Sequence, residues 1–407
     1  MGRAKEHWME EQERGWYSID DKFACADCFE DPDIQSFIED YAVEPECSYC
    51  GTKSNKPIAA DMNDVMQLIM DGISREWGDP NNEGMSWESR EGGWMGQVLD
   101  SSELFDEIGF GTAVDELYWD IYGSIQDRQW CQRNLYRLLP QKELMSDWEY
   151  FCQVVMHETR FVFYKMAGES DRHYGGQPPT PAHFILDILA KFVIELDLVV
   201  TIPEKQIFYR ARVHDEDKKF STIEELGPPP NKLARFSNRM SPAGIPMFYG
   251  SESKDTAIKE ITHEDRTPKF ATIGTFATKD ELSVLDLTRT PADPGLFDRE
   301  RHDIRPVIMF LNAFIDDLTR PIIKDGREHI EYVPSQIVTE YFRHLFRDEE
   351  GNPLHGILFP SAVDPKGKSC VLFFGPAEDH EFLPDEHAVN QRLSLEEVEK
   401  LTLGESK

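Results

Sequence analysis

The sequence predicts an α+β protein, with a small zinc element and a helical region ahead of the mixed part. Four of the seven cysteines fall within 26 residues near the start. Between residues 59 and 201 apolar residues recur at helical spacing, and from residue 206 onward short apolar runs are typical of strands. We therefore predict a zinc element at 1–57, an all-α domain at 58–203, an α+β domain at 204–376 and an acidic tail at 377–407.

The zinc element is predicted from cysteine spacing. Cys25 and Cys28 form one C-x-x-C pair, and Cys47 and Cys50 form a second pair 18 residues later. This is the spacing of a tetrahedral structural zinc site, which leaves no coordination position open for water. Two disulfides are the alternative, but the odd cysteine total and the lack of an export signal favour zinc.

The helical region contains two well-marked helices. One is predicted from about Met145 to Met166, with Ser146 and Glu149 as a capping box. The next is predicted to begin at Thr180 as its N-cap. The most apolar window, 183–201, is interrupted by four charged residues, so we expect a buried helix there and no membrane span.

The C-terminal half mixes strands and helices. Helices are predicted at 257–262 and 334–346. After about Pro376 the sequence becomes acidic, and its last ten-residue periodic segment, SLEEVEKLTL, predicts a short terminal helix. Six runs are typical of strands: IFYRARV, MFYGS, TIGTF, SVLDL, GILFP and CVLFF.

The charge balance excludes several classes of partner. Lysine and arginine total 43 against 76 acidic residues, which gives a formal net charge of −33. Nucleic acids and anionic membranes bind through basic surfaces, so we expect neither as a partner. The first sixteen residues lack the apolar stretch of a signal peptide. We therefore expect a cytoplasmic protein.

An arginine cluster stands out against this acidic background, because Arg210, Arg212, Arg235 and Arg239 fall within 30 residues. Guanidinium groups match the geometry of phosphate oxygens, so the cluster indicates a pocket for a phosphorylated anion. Arg210 lies between apolar neighbours in a strand-like run, where its charge needs an anionic partner. The alternative is surface arginines paired with nearby acids.

A tyrosine and a glutamate are predicted to border the same groove. The loop at 241–246 forces a turn and leads to Tyr249 at the end of the next strand, and Glu260 follows one short helix later. Alternatively, Tyr249 packs in the core, and Glu260 pairs with Lys259 or Lys254 on a solvated helix face.

The motifs YRAR, NRMSPAGIPMFYGS, TAIKE, EYVPSQ and GILFPSA, in this order, resemble the RES domain family over about residues 205–376. The preceding segment is similar to the HEPN-type helical domain often fused to RES domains. RES domains are toxins of bacterial toxin–antitoxin systems with an α+β fold similar to ADP-ribosyltransferases. They destroy NAD by hydrolysis or phosphorolysis, or use it to modify a protein. The resemblance implies that fold, and NAD as the substrate.

The resemblance also implies site residues. It gives catalytic roles to Arg210, Glu260 and Ser361. Glu260 would stabilise the oxocarbenium-like state of a breaking glycosidic bond, and Ser361 would bond the ribose or nicotinamide side. Further NAD contacts are expected from Arg239, Tyr249, Arg212, Arg235, Ser335 and Gln336.

Three functions remain open from the sequence. The leading hypothesis is a toxin or defence effector that cleaves the nicotinamide–ribose bond of NAD. The first alternative is a mono-ADP-ribosyltransferase that modifies a protein. The second is a non-catalytic ligand-sensing or binding module. Candidate partners are an antitoxin or regulatory protein, and a second copy of the chain.

Overall fold

The computed structural model describes residues 14–90, 92–125, 128–133, 138–165, 181–215, 217–262, 269–320, 326–377 and 388–403. Contacts divide the chain into two compact units. The first unit comprises residues 1–140 and 293–306, and the second comprises 141–292 and 307–407. The predicted N-cap Thr180 lies outside the described residues.

The first unit has four helices and three two-stranded sheets in its described residues. The sheets pair β1 with β2, β3 with β6, and β4 with β5. Its strands are β1 Phe23–Cys25, β2 Ala59–Asp61, β3 Trp77–Gly78, β4 Trp87–Glu88, β5 Gly93–Trp94 and β6 Cys131–Gln132. Its helices are α1 Pro32–Tyr41, α2 Met62–Glu76, α3 Ser101–Ile108 and α4 Asp115–Ser124.

A single apolar core holds this unit together. Asp61 caps the N-terminus of α2, whose buried residues belong to the same apolar cluster as three of the cysteines and residues of α3. The core also takes up the segment 293–306, because Phe297 packs directly on Gly72, where a Cβ would lie 2.6 Å from its ring. Arg305 of the same segment forms an ion pair with Glu76. Residues far apart in sequence therefore complete one core.

The second unit contains the long sheet and the remaining described helices. Its strands are β7 Val199–Ile202, β8 Ile207–His214, β9 Phe248–Ser251, β10 Phe270–Thr278, β11 Leu282–Asp286, β12 Gly356–Pro360, β13 Lys368–Leu372 and β14 Leu393–Thr402. The helices that lie wholly or mostly in it are α5 Pro140–Gln153, α6 Phe184–Glu195, α7 Ile223–Leu226, α8 Lys254–Thr262, α9 Arg305–Thr319, α10 Glu328–Glu331, α11 Val333–His344 and α12 Val389–Arg392.

The eight described strands of this unit form one sheet in the order β14-β10-β8-β9-β13-β12-β11-β7. All neighbours pair antiparallel except β11 and β12, which are parallel. The link between β8 and β9 is weak, since only Tyr209 and Ser251 pair there. The sheet is thus a three-stranded half and a five-stranded half joined at one residue pair.

Alternate side chains of the sheet enter two different cores. Ile357 and Val371 pack with α6, α9 and α11 on one face, whereas Leu358, Cys370 and Phe208 belong to a second cluster. That second cluster draws residues from both halves of the sheet. The strongly apolar runs of the central strands follow from this burial on both faces.

Most predicted elements of the C-terminal half are confirmed: each of the six strand-like runs overlaps a strand, and the bounds of α8 and α11 lie within three residues of those predicted. The helix predicted at 145–166 differs in its bounds. It begins at Pro140, which suits the first helical turn, so Ser146 lies inside the helix and caps nothing. It ends at Gln153 and continues as a π-helical turn, Val154–Glu158.

The predicted terminal helix is wrong, because residues 393–402 form the edge strand β14 paired with β10. A bulge shifts the register at Glu396, so Leu395 and Val398 reach the same core despite their three-residue separation. That spacing imitates a helical period.

Among the described residues, no helix is long and apolar enough to span a bilayer.

We predict that β14 stabilises the second unit chiefly through Leu393, which is fully buried. Leu393→Ala should lower the free energy of unfolding by about 3 kcal/mol, because a large buried side chain is removed. Leu401→Ala, a half-buried position on the same strand, should cost clearly less. Urea denaturation followed by circular dichroism measures both, and equal losses would contradict the assignment.

Candidate active site and four-cysteine centre

A cavity of about 550 Å³ opens in the second unit where β8 and β9 diverge. Its walls come from these two strands, from the facing ends of β12 and β13, from α8 and from the loop before β9. Among the described lining residues, three are arginines, Arg210, Arg235 and Arg239, and one is a carboxylate, Glu260. The arrangement suits a small anion.

The cavity exists because β8 and β9 stop pairing after one residue pair. Beyond that pair, the guanidinium of Arg210 donates from Nη1 to the carbonyl of Tyr249 at 2.8 Å, in place of a backbone donor. Gly250 permits the close approach at the pair itself, since a Cβ there would lie 3.2 Å from the carbonyl oxygen of Tyr209. The side chain of Arg210 therefore links β8 and β9 where their backbones separate.

Arg210 keeps its positive charge without a carboxylate partner among the described residues. Its guanidinium lies 5.6 Å from the ring centre of Phe248 and bonds to a carbonyl. Burial, together with the neighbouring charge of Arg212, lowers the pKa of Arg210 to about 10, although Tyr249 opposes the shift. A bound anion would relieve this unfavourable environment.

Arg239 is held in the same manner at the end of α9. Its Nη1 donates to the carbonyl of Leu318 at 2.7 Å, and its Nη2 donates to that of Arg320. Burial lowers the pKa of Arg239, an effect that Tyr332 and Glu260 partly offset. Two of its five N–H donors are thus committed to positioning, and no carboxylate of the described residues forms an ion pair with it.

Ser335 and Gln336 do not line the cavity, in contrast to the expectation that they border the groove. They lie buried in the first turn of α11. Ser335 donates to the carbonyl of Arg239, and Gln336 Nε2 donates to that of Asn238 at 2.9 Å. Their contact is with the backbone that carries Arg239.

Glu260 is exposed on α8 and faces two serine hydroxyls. Ser361 Oγ donates to its Oε1 at 2.6 Å, and Ser369 Oγ donates to the same oxygen at 3.0 Å. The alternative pairings with lysine are not present, because Lys259 binds Asp364 at 2.9 Å and Lys254 binds a glutamate of β14. The carboxylate therefore remains available to the cavity.

The loop between β12 and β13 is pinned to α8. Thr256 Oγ1 donates to Asp364 at 2.7 Å. Lys259, and to a smaller extent Thr256, hold the pKa of that carboxyl below its usual range. Gly367 packs so closely on Thr256 that a Cβ would lie 2.5 Å from its hydroxyl. The amide of Ser361 closes the loop on the carbonyl of Gly367 at 2.9 Å.

Tyr249 lines the cavity while its ring packs on the helical core. Its hydroxyl lies 2.9 Å from that of Ser241, which belongs to the turn before β9. Burial raises the pKa of Tyr249, so the phenol stays protonated at neutral pH. The ring is thereby fixed as a neutral wall of the cavity.

The remaining two arginines of the sequence cluster have different places. Arg212 lies outside the cavity, where it donates to the carbonyl of Glu225 and stacks over Phe220. The expected sharing of an anion with Arg210 is not met by this geometry. Arg235 is exposed at the cavity rim beside Phe236, whose side chain is 84 % exposed.

Four cysteines converge in the first unit. The Sγ atoms of Cys25, Cys28, Cys47 and Cys50 all lie within 4.8 Å of one another, and the three closest pairs are 3.5 to 3.6 Å apart. Four thiolates around one zinc ion would be about 3.8 Å apart, given Zn–S bonds near 2.3 Å. The disulfide alternative is wrong, because all four thiols are free.

Local backbone structure brings the two pairs together. Cys25 ends β1, Cys28 lies in the 3₁₀ turn that follows, and Cys47 and Cys50 flank a turn closed by Gly51 at φ +71°. Burial raises the pKa of Cys25 to about 12 and also raises that of Cys28. A divalent cation would supply the charge that favours both thiolates. The group can hold a metal ion.

Comparison with known families agrees with both resemblances drawn from the motifs. Residues 207–394 match the family model of the RES domain, and residues 41–169 match that of HEPN/RES N-terminal domain 1. No curated protein matches the chain, and no solved structure matches it.

We predict that Gly250→Ala forces β8 and β9 apart, because the new Cβ would meet the backbone oxygen of Tyr209 and the ring of Phe248. The substitution should lower the free energy of unfolding by about 1–3 kcal/mol. Gly123→Ala is the control, since nothing lies within 4 Å of its Cβ position. Thermal unfolding compares the two, and an unchanged midpoint for Gly250→Ala would contradict the prediction.

Proposed function

We propose that this chain, which carries a RES domain behind a HEPN/RES N-terminal domain, cleaves the nicotinamide–ribose bond of NAD as a toxin or defence effector. One observation carries the proposal. A single cavity contains two arginines that are held by backbone carbonyls and a carboxylate that accepts a hydrogen bond from a serine. NAD offers a matching pair of groups, a pyrophosphate and a ribose whose glycosidic bond breaks.

The size and charge of the cavity support a dinucleotide. About 550 Å³ lies within the range of small-molecule sites. Arg210 and Arg239 would hold the two phosphates. Each guanidinium is fixed by a backbone carbonyl, which does not neutralise its charge. Arg235 at the rim would attract the anion.

Glu260 would act on the ribose. Cleavage passes through an oxocarbenium-like state, and an ionised carboxylate near the ribose stabilises its positive charge. The hydrogen bonds from two serines fix Oε1 and leave Oε2 for the substrate. Ser361, which bonds Glu260, would therefore act through this carboxylate. Tyr249 would pack beside the nicotinamide ring.

The acceptor of the ADP-ribosyl group separates the remaining possibilities. Water gives hydrolysis, phosphate gives phosphorolysis, and a protein side chain gives mono-ADP-ribosylation. The division of the sheet into two halves around the cavity supports an ADP-ribosyltransferase-like fold, which serves all three reactions. For a toxin of this kind we expect an antitoxin that binds the protein and blocks the cavity.

We also propose that the four-cysteine group binds zinc. Sulfur-only tetrahedral sites favour zinc, and burial of three of the four thiols gives the ion a closed site. The ion would support the core of the first unit, in which these cysteines are packed.

The central test is NAD consumption by the purified protein, with and without phosphate, followed by chromatography of the products. Glu260→Gln should reduce the rate about a hundredfold or more, because it removes the charge that stabilises the transition state. Asp255→Asn, on the same helix but outside the cavity, should retain the rate. Unchanged NAD with the native protein under every condition would overturn the proposal.

A second test distinguishes ADP-ribosyl transfer. With NAD labelled on the adenine ribose, hydrolysis or phosphorolysis releases labelled small molecules, whereas transfer leaves the label on protein.

The zinc proposal predicts about one zinc ion per chain by elemental analysis. Cys47→Ser should lose the ion and lower the melting temperature, since it removes a buried ligand. Cys131→Ser is the matched control, because Cys131 is buried in the same unit outside the cluster. Full zinc content in Cys47→Ser, or none in the native protein, would refute the assignment.

A further inference from the structure

Ser369 is a cavity residue that the sequence motifs do not single out. It lies at the start of β13, after Gly367 and Lys368. Its hydroxyl donates to Glu260 Oε1 at 3.0 Å, and the residue lines the cavity.

The two serines that bond Glu260 are not equivalent. Ser361 Oγ donates to Glu260 at 2.6 Å and accepts from the amide of Val363 at 3.3 Å, and the residue does not line the cavity. Its hydroxyl is committed to the loop and to the carboxylate. Ser369 reaches the same carboxylate oxygen from the cavity wall, at the opposite end of the loop.

A lone hydrogen bond would leave Glu260 poorly fixed. The side chain is exposed on a nine-residue helix, and an unrestrained glutamate retains considerable rotamer freedom. Two donors on one oxygen, from the two ends of a closed loop, restrict both the position and the rotation of the carboxylate. Reacting groups that are misplaced by about 1 Å lose large factors in rate.

We propose that Ser369 is a positioning residue that, together with Ser361, orients Glu260 so that Oε2 faces the substrate. The inference rests on the proposed function. Lys259, the residue before Glu260, does not pair with this carboxylate, because it forms an ion pair with Asp364. Ser369 thus contributes to catalysis through Glu260 alone.

The kinetic test compares Ser369→Ala, Ser369→Thr and Ser283→Ala in NAD turnover. Ser369→Ala should lower kcat about tenfold with little change in KM, since NAD binding does not depend on it. Ser369→Thr retains the hydroxyl and should restore most of kcat. Ser283→Ala makes the same change on β11, outside the cavity, and should leave both constants unchanged.

A thermal double-mutant cycle tests the contact without relying on turnover. Ser369→Ala should lower the melting temperature of the native protein and should have less effect in a Glu260→Ala background. If Ser369→Thr folds poorly, this cycle and the kcat of Ser369→Ala decide the question.

The outcomes separate the two proposals. An undiminished kcat in Ser369→Ala, or additive melting shifts in the cycle, overturns the role of Ser369. A native protein that leaves NAD intact overturns the proposed function, and the thermal cycle still reports whether Ser369 acts on Glu260.

Discussion

The single residue pair between β8 and β9 is the constraint on which the second unit depends. A continuous ladder would leave no cleft, and a complete separation would split the sheet in two. One pair, with Arg210 bonded to the carbonyl of Tyr249 beyond it, holds the strands at an angle that opens a cavity. The core that draws on both halves of the sheet keeps that angle fixed.

Two of the cavity arginines, Arg210 and Arg239, are held by carbonyl groups, and this decides their chemistry. A carboxylate partner would fix a guanidinium and neutralise it as well, whereas a carbonyl fixes it and leaves its charge in place. Arg210 and Arg239 both have this kind of contact, in a chain whose net charge is −33. An acidic protein thereby presents a local positive site that suits a small anion.

Residue patterns predicted the strand-rich half and the cysteine cluster, and they singled out Arg210, Arg239, Tyr249 and Glu260, which line one cavity, because each depends on local periodicity or motif spacing. They did not reveal Ser369, whose role arises from the closure of a loop. Ser335 and Gln336 were expected to line the groove, but they bond to the backbone that carries Arg239. A sequence motif does not show how deeply its residues are buried. The terminal strand was misread because a bulge makes its apolar spacing helical.

The segment 293–306 has a consequence for synthesis of the chain. The core of the first unit includes Phe297, so this core is incomplete until 297 of the 407 residues have been made. During translation, the core around the cysteines therefore cannot be completed until Phe297 has been made, after several strands of the second unit. The order of residues along the chain therefore differs from their grouping in the fold, and a truncated N-terminal fragment would expose the apolar surface around Gly72.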